Sequence, residues 1–334
     1  MNEALYEKYK LKVDRYMHVF GYEAILYRNI VYCIVPIPNL EQEELFEMKH
    51  LSDYMIQKGD IRVGSILPTT DGKLSTNIDN KEIVIIRCPA YSYRMPHSIG
   101  YELARFHKRG RSFPYQINKV NRIGQWKYLW EKRVDQMELF WKEKVKQHPE
   151  NRFETLFIEA FPYYLGLTEN AIQYLVDTEM DETPTTIDSA TICHHRFTQQ
   201  TWHQDSYTKL PTDWVFDHYT RDLAEFIRSL YVSGDTRQSG LIAHFLQEYQ
   251  QVSPLSTFSW RLLYARLLFP LHFFECIEGY YMSKSDQERE KQSQQLESIL
   301  THSSDHERFL ASFLSIVGID EKRLKIPSID WLQN

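Results

Sequence analysis

Apolar positions recur along this chain with two different periods. Between residues 41 and 57, Leu45, Met48, Leu51 and Met55 fall at steps of three and four, one stripe that predicts a helix, and Gly59 stops it. Upstream, Glu23–Leu26 and Ile30–Val35 are β-prone runs on either side of Tyr27-Arg28-Asn29, the pattern of a hairpin. Residues 3–18 mix charged and apolar groups and read as a short helix or arm. Arg62–Pro68, a turn at Thr70-Asp71-Gly72-Lys73 and a short strand lead to Glu82–Cys88, whose unbroken apolar run predicts a central strand. After Pro89 the period turns helical, over 97–109, 123–147 and 151–180. A polar linker at 181–189 and a β-prone island at 190–218 follow, and helices take up the remainder. The most apolar run, Trp260 to Met282, carries Arg261, Arg266, Pro270 and Glu275, so it predicts two buried helices and no bilayer span. The order as a whole is α+β: a small β-rich lobe at 1–92 and a large helical lobe at 93–334.

Charge and composition remove several function classes. A net charge of −6 argues against a protein held to nucleic acid by phosphate contacts. The four cysteines, Cys33, Cys88, Cys193 and Cys276, contain no C-x-x-C pair, so neither a zinc ribbon nor a disulfide framework is expected. The first residues do not read as a secretion signal. With 12 glycines in 334 residues, and no Rossmann fingerprint, G-x-S-x-G elbow or H-E-x-x-H, the usual phosphate-cradling, esterase and zinc-protease chemistries have no motif here. The 14% aromatic content reads as core and core rim.

Several ordered segments carry a resemblance. A helix and strand end in Thr70-Asp71-Gly72; Leu103-Ala104-Arg105-Phe106-His107 opens the second lobe, and Gly124-Gln125-Trp126 comes next. Ile192-Cys193-His194 stands where a catalytic loop begins, and Phe216-Asp217 precedes Arg221-Asp222-Leu223. In this order they resemble the CotS family of spore-coat proteins, kinase-like relatives of the aminoglycoside and choline kinases. The resemblance implies a bilobal protein-kinase-like fold of the aminoglycoside phosphotransferase type. It also implies synthesis in the mother-cell cytoplasm, deposition in the spore coat, and other spore-coat proteins as partners.

Phosphoryl transfer requires an acceptor-positioning Asp, cations on the phosphates, and Asp and Asn ligands for Mg²⁺. Laid on the family's H-G-D-x-H-P-x-N loop, His194 keeps the leading His. The Gly position is His195, the catalytic Asp position is Arg196, and Thr198, Gln199 and Thr201 replace the His, Pro and Asn. Arginine stays protonated and cannot take the acceptor's proton. The strand that would carry a phosphate-binding Lys reads Tyr32-Cys33-Ile34-Val35-Pro36, without a cation, and the turn before it has no glycine cluster. Glu43, Glu44 and Glu47 then read as a solvated acidic face. Asp217 matches the family's metal-binding Asp, and Asp222 matches an Asp that begins a helix and holds the loop through backbone N–H groups. Asp222 is therefore expected to cap residues 222–231 and bond the loop at His195–Phe197.

The chain is thus expected to be a pseudokinase with no cofactor and no resident metal, Asp217 being the position where residual binding would occur. Arg196 is expected to pair with Asp217 in the metal's place. Cys193, His194, His195, His203, Asp205, Asp217 and His218 lie close in sequence, but their spacing matches no zinc motif. Two other readings stay open: a kinase with Asp205 or Asp213 in the base role, and a module that binds a nucleotide or sugar.

Overall fold

The computed structural model describes the chain except residues 39, 90–96, 203–207, 233–237, 325, 328, 330, 331, 333 and 334. The expected lobe boundary at 92/93, and His203 and Asp205, lie outside the described residues.

Helix α1 (Asn2–Tyr9) leads into a six-stranded sheet made of β1 (Arg15–Val19), β2 (Tyr22–Tyr27), β3 (Ile30–Pro36), β4 (Ser65–Leu67), β5 (Thr76–Ile78) and β6 (Lys81–Arg87). Its order is β1-β2-β3-β6-β4 with β5 on β6, and every pairing is antiparallel. Strand β6 is central, as its unbroken apolar run predicts. The β2–β3 hairpin turns on Arg28 and Asn29, both at positive φ, the two-residue geometry whose twist matches the strands it joins. The expected helix or arm at 3–18 is a helix followed by a strand. Arg15–Val19 escapes the sequence pattern because this edge strand has one buried residue, Val19, and shows no alternation.

The two faces of β3 differ because successive side chains point oppositely. Tyr32 and Ile34 join Ile25, Ile83, Ile85 and the α1 residues Leu5 and Tyr9 in one apolar cluster. On the other face Cys33 is fully buried, and its sulfur lies 3.2 Å from that of Cys88. Helix α2 (Gln42–Gln57) buries Leu45, Met48, Leu51 and Met55 as its stripe requires, and ends at Gly59 with φ 82°.

This sheet belongs to a compact unit formed by residues 1–123 and 189–254. The same unit holds α3 (Ile99–Gly110), the two-stranded ribbon β7 (Thr191–His194) and β8 (Trp214–Asp217), α6 (Thr220–Val232) and α7 (Gln238–Gln250). Helix α3 comes close to β7 at Gly110, where a Cβ would meet the Thr191 hydroxyl at 2.6 Å and the Ile192 nitrogen at 2.9 Å. The Thr191 hydroxyl donates to the His107 carbonyl at 2.7 Å, fixing that approach.

A second compact unit, residues 124–188 and 255–334, is helical. It contains α4 (Trp126–Gln147), α5 (Arg152–Asp181), α8 (Thr257–Leu268), α9 (Leu271–Met282), α10 (Asp286–Thr301), α11 (Ser303–Ile316) and α12 (Glu321–Leu324). Helix α5 passes through Pro162, whose missing N–H leaves the Ile158 carbonyl without its helical donor. The Trp141 indole supplies one at 3.0 Å. Helices α8 and α9 are the buried pair expected from Trp260 to Met282, broken at Pro270. Among the described residues no helix is long and apolar enough to cross a membrane.

Candidate functional site: the loop after β7 and its anchors

The residues singled out from the sequence converge on the β7–β8 ribbon and the first turn of α6. The ribbon is antiparallel, in register Thr191↔Asp217 through His194↔Trp214, so the loop starts at the end of the ribbon away from Asp217, and the first turn of α6 reaches back to it through Arg221 and Asp222. Asp222 is fully buried in the first turn of α6. Its Oδ1 accepts the His194 backbone N–H at 2.9 Å, while Oδ2 lies 2.7 Å from His194 Nδ1 and 3.1 Å from His107 Nε2. The other nitrogen of His107 meets the Tyr249 hydroxyl at 2.9 Å. Burial alone would raise the Asp222 carboxyl, but the His194 and His107 imidazoles outweigh it and hold the group well below the usual carboxylate range. Asp222 therefore holds the loop by a backbone N–H, as the resemblance implies, but at His194 and not at His195–Phe197. Its oxygens turn to the two histidines instead of capping α6.

Asp217, fully buried at the end of β8, accepts its neighbour's N–H, from His218, at 2.7 Å through Oδ1. Its Oδ2 accepts from Arg221 Nη1 at 3.0 Å. Arg221 also donates through Nε to the His194 carbonyl at 3.0 Å and through Nη2 to the His195 carbonyl at 3.4 Å. The expected pairing of Arg196 with Asp217 is corrected here. Arg196 turns to the buried Glu225 of α6, which Arg228 also engages at 2.9 Å, and among the described residues Arg221 is the cation paired with Asp217. The sequence places Arg196 at the loop's base position but cannot foresee that α6 presents a second carboxylate to it.

Thr201, which the resemblance sets at the position of the metal-binding Asn, spends its hydroxyl locally. It accepts the Thr198 N–H at 2.8 Å and donates to the Arg196 carbonyl at 3.1 Å, closing the loop on itself. His194, Phe197 and Trp202 pack ring against ring with Phe106, so the loop is anchored by aromatic contacts too. His195 reaches solvent, and crowding by protein, then the charges of Arg221 and Arg122, draw its imidazole down to about 4. Asp213 is also accessible, and its carbonyl accepts the His195 N–H at 2.7 Å.

The acidic stretch at the start of α2 is not simply solvated. Glu47 accepts the backbone N–H groups of Asn118, Lys119 and Val120 at 2.8, 2.9 and 2.9 Å, and Glu44 accepts the Glu41 N–H at 2.9 Å. Of the three, Glu43 fits the expected exposed face. Glu47 is thereby committed to the segment that pairs with β8 through Phe216 N–H to the Val120 carbonyl, at 2.9 Å.

His107, Cys193 and Asp222 bring three potential ligand atoms within 4.8 Å of one another, all buried. Both Asp222 oxygens already accept hydrogen bonds, and the Cys193 sulfur lies 3.6 Å from the carbonyls of Asp217 and His218.

Comparison with known proteins fits this geometry. Residues 2–313 match the family described as "Spore coat putative kinase YutH". The chain is 44% identical to the endospore coat-associated protein YutH of Bacillus subtilis strain 168, over 98% of this chain and 96% of that protein. It belongs to the YutH family of spore coat proteins. Among solved structures, an aminoglycoside phosphotransferase from Alicyclobacillus acidocaldarius superposes with a TM-score of 0.66 at 15% identity, covering 95% of this chain and 96% of that one. A microcompartment-associated aminopropanol kinase gives 0.61 at 13% identity, covering 93% and 97%. The fold of this YutH-family chain is thus aminoglycoside phosphotransferase-like, with a small β-sheet region at the N-terminus and a helical C-terminal part.

Within that frame His107, matched only as the end of the Leu103–His107 pattern, proves to be half of the Asp222 clamp. Burial lowers its imidazole below the ordinary value, Asp222 only partly opposing this. A histidine with a depressed folded-state pKa contributes stability that is complete above the unfolded value, about 6.5, and is lost as pH falls below it. Urea midpoints are therefore expected to fall between pH 7 and pH 5, and to fall less steeply in His107→Gln. Parallel slopes in the two proteins would show that His107 is not a source of this acid sensitivity.

Proposed function

We propose that this YutH-family chain is a catalytically degenerate kinase-like protein, a pseudokinase, that serves as a structural and interaction component of the endospore coat. The observation that carries the reading is the Arg221–Asp217 pair. A guanidinium bonded to the one carboxylate aligned with the family's metal ligand occupies a donor that Mg²⁺ would need. Arg196 at the base position cannot accept a proton, Thr201 is closed into its own turn, and β3 offers Cys33 and Val35 where a phosphate-binding Lys would stand. The residues present do not fit Mg²⁺–nucleotide. In this reading the partners are other spore-coat proteins, the protein is made in the mother-cell cytoplasm, the lobes divide at 92/93, and the chain is a kinase-like relative of the CotS type.

The test is a phosphoryl-transfer assay with ATP and Mg²⁺ against aminoglycosides, choline and protein substrates, run beside Asp217→Ala. No turnover above that variant is expected. Turnover that Asp217→Ala abolishes would establish an active kinase. A second reading, a kinase with a displaced base, draws on the accessible carboxylate of Asp213 beside His195. It requires turnover that Asp213→Ala removes.

A further inference from the structure

Helix α3 carries a basic stripe that the loop after β7 does not use. Tyr101, Arg105, Lys108, Arg109 and Ser112 recur at helical spacing and line a pocket of about 490 Å³, which Tyr54 and Lys58 from the end of α2 and Val252 complete. Four cations stand around it in a chain whose net charge is −6. Arg109 is engaged by Asp60 at 3.2 Å, and Arg105 reaches Glu102 at 3.5 Å. Lys58 and Lys108 are exposed and have no carboxylate partner among the described residues; Lys58 lies over the Tyr54 ring at 5.5 Å. Cations in the last turn of α3 also suit the helix dipole, but that does not account for Lys58 on α2's C-terminal side. Tyr54 is more than nine-tenths buried, and its hydroxyl is shielded from solvent beside Ser112.

We propose that this pocket recognises an acidic peptide segment of a partner protein. Carboxylates would take the unpaired Lys58 and Lys108, together with Arg105, as donors, while Tyr101 and Val252 offer an apolar wall to an intervening side chain. The volume falls within the roughly 300–1,000 Å³ of built ligand sites and is far larger than a lone ion needs. The pocket is separate from the Asp217 and Asp222 clusters, so the inference stands whether or not the chain is a pseudokinase.

The test is fluorescence anisotropy of a short fluorescein-labelled peptide of alternating glutamate and leucine, with inorganic phosphate as competitor. Wild type is expected to bind, with affinity falling as salt rises. Lys58→Glu/Lys108→Glu should weaken binding about tenfold or more, because two charge-assisted contacts become repulsive. Lys132→Glu/Lys146→Glu, the same change of net charge made on α4, should leave it unaltered. Absent binding by wild type, equal losses in the two variants, or full displacement by equimolar phosphate would each overturn the proposal, the last by revealing a small-anion site. Melting curves check that both variants are folded.

Discussion

Asp222→Ala should cost about 3–5 kcal/mol, the range for breaking a buried charged network by removing one partner. The substitution deletes the acceptor of three buried donors at once: the His194 N–H, the His194 ring and the His107 ring. Each donor left unsatisfied is worth roughly 1–3 kcal/mol. A capping Asp on α6 would cost only about 0.5–2 kcal/mol, so the magnitude separates the two roles. Asp222→Asn keeps the shape and one acceptor oxygen and should lose less than Ala. Urea unfolding at pH 7 provides the comparison, and a change within error for Ala would remove the clamp from the account.

Lys209→Ala should be nearly as damaging, at about 3–5 kcal/mol by the same reasoning. Lys209 is 1% exposed, its ammonium 2.6 Å from Asp60, and it lies over the rings of Phe106 and Trp202 at 4.8 and 4.7 Å. Burial would raise the Asp60 carboxyl, but Lys209 and then Arg109 outweigh it and hold it ionised. Removing the ammonium leaves that buried carboxylate with Arg109 and the Arg62 N–H, which it accepts at 3.3 Å. The backbone of Lys209 is engaged as well, pairing with Val63 and accepting the Gly64 N–H at 2.9 Å, so it ties the α2–β4 connection to the segment before β8. Thermal unfolding of Lys209→Ala beside Lys58→Ala, an exposed lysine, measures the difference. Equal melting temperatures would show that the buried pair contributes nothing.

Much of the fold was legible in the sequence because most elements carry their own period. The stripe of α2, the apolar run of β6, the β2–β3 turn and the break at Pro270 each follow from local pattern, and all are present. Strand β1 was not legible, since an edge strand with one buried residue has no alternation to read. At the site, the ordered motifs located His194, Arg196, Asp217 and Asp222 together, and the structure brings them to one place. Their partners could not be read. Whether Arg196 or Arg221 meets Asp217 depends on how the chain turns between β8 and α6, and Glu225 gave no signal beyond being one more acid on a helix. The four-residue spacing of Asp217 and Arg221 was a usable hint, but it applies to a continuous helix and here one partner lies on a strand. Glu47 and Lys209 were invisible for a similar reason: each acts on backbone or carboxylate groups far away in sequence.

The central claim, that the position aligned with the metal ligand is closed by Arg221, is tested most directly by nucleotide and metal binding. Melting temperatures would be compared for the protein alone, with ATP and Mg²⁺, and with a non-hydrolysable ATP analogue and Mn²⁺. A ligand at 100 times its Kd stabilises by about 2.7 kcal/mol, a readily measured shift. The account predicts superimposable curves. A metal-dependent rise that Asp217→Ala abolishes would show that Arg221 yields to the cation, and would contradict it.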